Sequence, residues 1–406
     1  MAAAAASRNR KRDVLAFTGA GLLPVPWMVC HNFHGFPLPA EAVAALSGLA
    51  ILGGAFLLSW ATELAERDIP QALAILVLAL VSVLPEYAID LHFAWTAGKD
   101  PSYAPYAIAN MTGANRLLIG LGWALVVLIF CWRSRAPELL IHPRQTLEIR
   151  FLLWATAYSF LIPLTGTVNL FDAAVLLAIF LLYAYSAMRS ESEEVQLVGP
   201  AALFDREFGD WGRRLWAVGL FAFAAWGIFI SAEPFAESLV EIGRYRDIDE
   251  FLLVQWVAPL ASESPEFLIA TLFALRLRGS VGIGALISSK VNQWTLLVGA
   301  IPIAFALSAG NLSGLPLDDR QTQELILTSA QSLFAVLIIC DLRFTRIEAL
   351  GLAALFGGQF MFASTEVRYV FIALYLVSSA VMLLDRGRRR LFFALLFGSV
   401  RSEWKG

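Results

Sequence analysis

Apolar runs of membrane-spanning length follow one another along the chain, separated by short polar or basic breaks. They fall near 14–30, 40–63, 70–98, 105–132, 149–165, 169–187, 215–240, 250–275, 281–308, 322–341, 346–366 and 368–385. Each is long enough for a helix to cross a hydrocarbon layer about 30 Å thick, so the pattern predicts about twelve spans. Two runs are interrupted in the same way. One contains Ser82-Val83-Leu84-Pro85-Glu86, the other Ser262-Glu263-Ser264-Pro265-Glu266. Proline removes a helix hydrogen bond and frees carbonyls. A carboxylate at bilayer depth costs about 2.5–3.5 kcal/mol on insertion scales. Two such costly interruptions in matching positions predict a site.

The match extends past the Pro-Glu pair. Each glutamate is followed by the rest of its helix, a glycine-bearing break (Gly98-Lys99; Gly279-Ser280) and a second helix opened by small and polar residues. That helix carries Ala109-Asn110-Met111-Thr112-Gly113-Ala114-Asn115 in the first copy and Leu286-Ile287-Ser288-Ser289-Lys290-Val291-Asn292 in the second. Asn115 then aligns with Asn292, and Thr112 with Ser289. The copies begin five spans apart, and an odd number of crossings inverts one copy relative to the other.

Composition agrees with a membrane chain: 58% of the 406 residues are hydrophobic and 16% charged, against about 25% charged in soluble domains. The cysteines Cys30, Cys131 and Cys340 lie in or beside apolar runs without metal or disulfide spacing, and read as packing residues. Basic residues concentrate on alternate connections: Arg133, Arg135, Arg144 and Arg150, then Arg206, Arg213 and Arg214, then Arg386, Arg388, Arg389 and Arg390. The positive-inside rule therefore predicts both termini cytoplasmic, in a protein integral to the cell (inner) membrane. The divisions are 1–39 (basic tail and an extra first span), 40–187 (first half), 188–214 (cytoplasmic linker), 215–366 (second half) and 367–406 (extra last span and basic tail). No nucleotide-binding loop, paired-histidine metal site or nucleophile elbow occurs, so an enzyme is not expected. His31, His34, His92 and His142 are scattered.

These segments resemble the α-repeats of the Ca²⁺/cation antiporter superfamily, the sodium/calcium exchanger membrane region, in a divergent form. That family's signature is Ser-x-Pro-Glu on one helix and Gly-Asn-x-x-Gly-Ser-Asn on the next, once per half. The likeness covers roughly 40–132 and 215–308. It implies an all-α polytopic membrane protein with two inverted five-helix repeats, the first and last spans being additions. It also implies a secondary active cation antiporter, exchanging Ca²⁺, Na⁺ or K⁺ against Na⁺ or H⁺ by alternating access. Carried over, Glu86 and Glu266 coordinate the cation at mid-membrane, with oxygens from Ser82, Ser262, Asn115 and Asn292. No cofactor is implied beyond the transported cation, and the partners are the lipid bilayer and inorganic cations rather than nucleic acid.

The departures from the signature bring extra charge. Asp90 lies four residues after Glu86 and Glu263 three before Glu266, each on its glutamate's helical face. Arg116 follows Asn115, and Lys290 stands where the family carries glycine. In one reading Lys290 pairs with Glu263 or Glu266 as a built-in counter-ion that releases its partner when a cation binds. Carboxylates crowded in low dielectric would then suit proton exchange. In the other, Lys290–Glu263 and Arg116–Asp90 are permanent bridges between helices. The second reading fits a non-transporting or altered-specificity protein on the exchanger fold.

Overall fold

The computed structural model describes residues 2–32, 38–66, 68, 83–189, 197, 199–362 and 364–397. By its contacts the chain forms two compact units, Met1–His92 with Ala187–Pro265, and Phe93–Ser186 with Glu266–Gly406. Each unit thus draws on both halves of the sequence, and the divisions fall inside the two Pro-Glu helices.

In the first unit the opening span is two helices, α1 (Ala2–Leu22) and α2 (Val25–Asn32), broken where Pro24 cannot continue the ladder. They lie against α3 (Ala40–Glu66), the first long helix of the predicted first half. The start of α4 (Leu84–Lys99), carrying Pro85 and Glu86, belongs to the same unit. In the second unit, α5 (Ala104–Leu117) runs through a π-helical segment, Leu118–Trp123, into α6 (Ala124–Ser134). Strand β1 (Glu138–Leu140), α7 (Thr146–Ser159), β2 (Thr167–Val168) and α8 (Leu170–Met188) complete the predicted first half.

The second half repeats this order. After the short helix α9 (Pro200–Glu207) come α10 (Asp210–Arg246), α11 (Glu250–Leu275) with Pro265 and Glu266, and α12 (Gly279–Asn292). A second π segment, Gln293–Leu297, joins α12 to α13 (Val298–Ala309). Then follow β3 (Leu315–Pro316), α14 (Asp319–Ile339), β4 (Arg343–Thr345) and α15 (Arg346–Met361). Two helices, α16 (Thr365–Met382) and α17 (Arg386–Phe397), close the described chain.

Strand pairing in the second unit reports the inversion directly. β1, which follows α6, pairs antiparallel with β4, which precedes α15. β3, which follows α13, pairs with β2, which precedes α8. The same two positions of each repeat are exchanged reciprocally, as a two-fold relation between copies requires. Matching π segments directly after Asn115–Leu117 and after Asn292 carry the same correspondence.

Nine helices among the described residues are long and apolar enough to cross a membrane. The other predicted spans also hold helices. The described part of 70–98 is the 16-residue α4, α11 contains Glu250, Glu263 and Glu266, and α15 has 16 residues.

The first unit is held by close packing of α3 on α10. A Cβ added at Gly48 would stand 2.8 Å from Phe235, and one at Gly54 2.8 Å from Ile228, the small-residue approach that lets membrane helices gain dispersion contact. Leu57, Trp60 and Leu64 of α3 bury against Leu220, Ala224 and Ile228 of α10, with Phe204 of α9 at one edge. Beyond the end of α3, Asp68 accepts from Arg213 at 3.0 Å and from Arg214 at 2.9 Å. Arg213 also reaches Asp210 at 2.9 Å and Asp205 at 3.3 Å, so the linker helix α9 is tied to the junction of α3 and α10.

In the second unit α14 is the packing centre: it is buried along most of its length, whereas α16 is largely exposed. It touches α5, α7 and α16. Gly282 presses α12 against α11, since an added Cβ would stand 2.6 Å from the backbone oxygen of Ala270. Backbone cannot step aside as a flexible side chain can. Gly282→Ala is therefore expected to destabilise the protein by about 1–3 kcal/mol in denaturation in detergent. Gly351→Ala, where nothing lies within 4 Å, should leave stability equal or slightly raised. Equal stability of the two variants would contradict the packing assigned to Gly282.

Candidate cation site

Pro85 stands at the second residue of α4, where its missing N–H leaves no helix bond unmade. Glu86 follows in the first turn and is 1% exposed, and Asp90, one turn on, is fully buried. Pro265 is different: it sits inside the continuous α11, as does Pro259. Ser262 turns its hydroxyl back to the Ala258 carbonyl at 3.3 Å, in the stretch whose ladder these prolines interrupt. Glu263 is fully buried and Ser262 3% exposed, while Glu266 is half-buried. Ser82 lies outside the described residues.

Within the second unit the structure brings Asn115 and Lys290 together. The Asn115 amide donates to the Met111 carbonyl at 2.7 Å, which turns its oxygen towards α12. Lys290 Nζ donates to that oxygen at 2.6 Å, with the Asn115 backbone oxygen at 3.4 Å. The ammonium also stands 4.2 Å over the Trp294 ring. A desolvated cation–π contact contributes about 2 kcal/mol. Lys290 is fully buried, so these contacts replace part of a lost hydration shell. Two residues expected in separate roles, a ligand and a counter-ion, are thus in direct contact.

Ser289 of α12 lies beside the Glu266 carboxylate, a neighbour that the alignment of Ser289 with Thr112 hints at without selecting it. Asn292 is buried at 6% exposure, and Gln293, which opens the second π segment, is fully buried.

Arg116 has a buried partner that its sequence position did not suggest. Within the second unit it forms an ion pair with Glu324 of α14, at 2.5 Å. Glu324 reads as a helix-end residue in the sequence, yet it is 3% exposed and is shared with Arg368 of α16 at 3.7 Å. Arg368 is fixed in turn by Gln323 at 2.9 Å and Thr365 at 3.0 Å. Gln331 of α14 donates to the Arg116 carbonyl at 3.1 Å, and Gln359 donates to Gln331 at 3.1 Å. A π segment lengthens the ladder by one residue and leaves a carbonyl short of its helical partner. The Gln331 amide meets the Arg116 carbonyl just before the first π segment. Buried side chains of α14, α15 and α16 thereby hold the end of α5 that presents Asn115.

Other acids resolve individually. Asp172 caps α8, accepting from the Asn169 backbone at 2.8 Å and the Tyr158 hydroxyl at 2.7 Å. Asp341, just past α14, pairs with Arg388 at 3.1 Å. In the first unit Glu237 of α10 lies 2.9 Å from His92 Nε2 of α4 and lines an open cleft with Glu241 and Arg244. Among the described residues no group of three or more His, Cys, Asp or Glu is arranged to hold a metal.

Inverted five-helix repeats, paired Pro-Glu helices and matched π segments define a membrane transporter of the inverted-repeat class. The family model of the sodium/calcium exchanger protein matches residues 41–189 and 216–365, and the chain belongs to that family, within the Ca²⁺/cation antiporter superfamily. The matched segments hold Glu86, Asn115, Glu266, Lys290 and Glu324; α1, α2, α17 and nearly all of α16, with Arg368, lie outside them. The solved structure of the exchanger CAX is 45% identical, with a TM-score of 0.90, covering 95% of this chain and 96% of that one. Native YfkE shares the fold at 13% identity and TM-score 0.60, covering 92% and 99%. The sodium-calcium exchanger NCX_Mj, soaked with Na⁺ and Sr²⁺, does so at 18% and 0.52, covering 79% and 98%. No curated protein sequence matches the chain.

The Arg116–Glu324–Arg368 cluster yields a direct test. Glu324→Ala leaves two buried guanidinium groups without their carboxylate, and breaking a buried pair in this way costs about 3–5 kcal/mol. The double variant Arg116→Leu/Glu324→Leu removes the uncompensated charge next to α5 and is expected to be more stable than Glu324→Ala in denaturation in detergent. A double variant as unstable as the single one would show that the ion pair does not govern this packing.

Proposed function

We propose that the protein is a proton-coupled Ca²⁺ antiporter of the inner membrane, with both termini cytoplasmic and with Glu86 and Glu266 carrying the cation in alternating access. The observation that carries this reading is the 45% identity to the H⁺/Ca²⁺ exchanger CAX across 95% of the chain. The chemistry supports it. Ca²⁺ takes six to eight oxygen ligands and needs negative charge to replace its hydration. Two carboxylates neutralise one Ca²⁺, and the same two carboxylates are neutralised by two protons. Either load lets the site cross between its inward- and outward-facing states without a bare charge. Ser82, Ser262, Asn115 and Asn292 supply neutral oxygens, and Asp90 and Glu263 add carboxylates that accept protons or offset Lys290 and Arg116.

Lys290 has two roles open to it, and its contact with Asn115 bears on both. As a counter-ion, its ammonium occupies the Asn115 oxygen while the site is empty and gives it up to an arriving cation. As a permanent fixture, it withholds that oxygen, and the protein is a non-transporting or altered-specificity member of the family.

Flux in proteoliposomes separates these. With an acid lumen, the wild type is expected to accumulate Ca²⁺ while the lumen alkalinises, and Na⁺ or K⁺ gradients should not substitute for the proton gradient. Glu86→Gln and Glu266→Gln should each lower coupled flux at least a hundredfold. Lys290→Gly should keep proton coupling and change the KM for Ca²⁺ by at least about tenfold, since one charge about 10 Å away at an effective dielectric near 20 already contributes about 1.7 kcal/mol. A wild type that moves neither Ca²⁺ nor protons ends the antiporter reading. Unchanged KM and coupling in Lys290→Gly assigns the lysine to structure alone.

A further inference from the structure

The start of α7 brings to α12 a carboxyl group that the cation site does not use. Two contacts set the register between these segments. The His142 backbone donates to the Ser280 hydroxyl at 3.1 Å. A Cβ added at Gly284 would stand 2.7 Å from Gln145 Nε2, so Gln145 lies directly on that glycine. One turn further on, the two helices carry Glu148 and Ser288.

Tyr183 of α8 joins that pair. Its ring packs 5.7 Å from the ring of Phe151, one turn past Glu148. The phenol lies within the field of the Glu148 carboxyl and shares a hydrogen bond with the Ser288 hydroxyl. Tyr183 is 6% exposed, so both contacts are shielded from water. Ser289, the next residue of α12, lies beside Glu266. A line of proton-bearing groups therefore runs from the basic end of α7 to Glu266, all within the second unit.

Glu148 is placed to change its charge. Its Oε2 is buried without a hydrogen-bond partner. Among the described residues no cation pairs with it, so taking up a proton breaks no ion pair, as it would at Glu324. His142, Arg144 and Arg150 stand on its own segment. α12 brings the uncharged Gly284 and Ser288, while α14 and α17 meet α7 further along, at Ser159 and Trp154. Asp341, just past α14, is engaged by Arg388.

We propose, on the reading of the chain as a proton-coupled antiporter, that Glu148 is a proton-transfer residue serving Glu266 from the cytoplasmic side. When Ca²⁺ displaces a proton from the site, the relaying hydroxyls each accept one proton and release another. The Glu148 carboxylate forms the new O–H bond and then gives that proton to water at the end of α7. A route apart from the mouth suits the exchange, since an entering Ca²⁺ repels a proton leaving beside it.

The test compares two modes of Ca²⁺ movement by the full chain in proteoliposomes. Exchange of labelled for unlabelled Ca²⁺ needs no proton, whereas H⁺/Ca²⁺ exchange does. Glu148→Gln keeps the size of the side chain, and glutamine serves equally at the third position of a helix. It should hold Ca²⁺/Ca²⁺ exchange at the wild-type rate and slow H⁺/Ca²⁺ exchange roughly a hundredfold, the low end for a positioned proton-transfer group. Glu148→Asp restores the carboxyl group and should recover much of the loss. Tyr183→Phe should show the same split in weaker form. An unchanged H⁺/Ca²⁺ rate in Glu148→Gln overturns the assignment. So does an equal fall of both exchanges in Glu148→Gln and Tyr183→Phe, which marks a structural role. Either result leaves the antiporter reading standing, whereas a wild type that exchanges Ca²⁺ without protons removes both.

Discussion

A charged side chain held away from water must be answered by a partner, and the second unit is arranged around two such answers on one helix. At Asn115 the charge answered is an ammonium: Lys290 donates to the amide oxygen at 2.6 Å and rests on the Trp294 ring. One residue later it is a carboxylate, where Arg116 pairs with Glu324. The two contacts face different neighbours. The first joins α5 to α12, and the second ties α5 to α14 and, through Arg368, to the added helix α16. The end of α5 is thus fixed from both sides, and the adjoining π segment is covered by Gln331. Removing water from an ion pair is costly unless its geometry is good and its remaining hydrogen bonds are made. Arg368 meets part of that demand through Gln323 and Thr365, and Arg116 through the Thr112 carbonyl at 3.4 Å.

Charge placement also separates the two halves of the fold's internal symmetry. The reciprocal strand pairs repeat, and each copy carries a π segment shortly after its aligned asparagine. The side chains do not repeat. The first copy has Asn115 followed by Arg116, and the second has Lys290 two residues before Asn292 and Gln293 after it. One copy offers an amide oxygen, and the other fills that oxygen with an ammonium. Repeats that share a backbone have diverged in what they present.

The parts of this arrangement that carry an energetic anomaly were readable in the chain itself. Pro-Glu in two apolar runs, Lys290 in place of a small residue and the odd spacing between copies all stand out against hydropathy. The alternation of basic loops marked the connections. Glu324 did not stand out, because a glutamate near the start of a helix has an ordinary reading as an N-terminal residue. Only the fold returns Arg368 to it from a helix beyond the family segment. Ser289 was obscured by the weakened second copy. The strands β2 and β3 are two residues each, too short to show alternation, and a π segment leaves no periodic mark in so few residues. His92 read as scattered because its partner, Glu237, is 145 positions away.

The central claim is that cation and protons compete for the same carboxylates. Proton release measures it most directly, with the purified protein in weakly buffered detergent at neutral pH and Ca²⁺ added stepwise. The account predicts saturable Ca²⁺ binding that releases protons in fixed proportion, with affinity falling as pH is lowered and both effects lost in Glu86→Gln/Glu266→Gln. Tight Ca²⁺ binding with no proton released, and an affinity independent of pH, would contradict it.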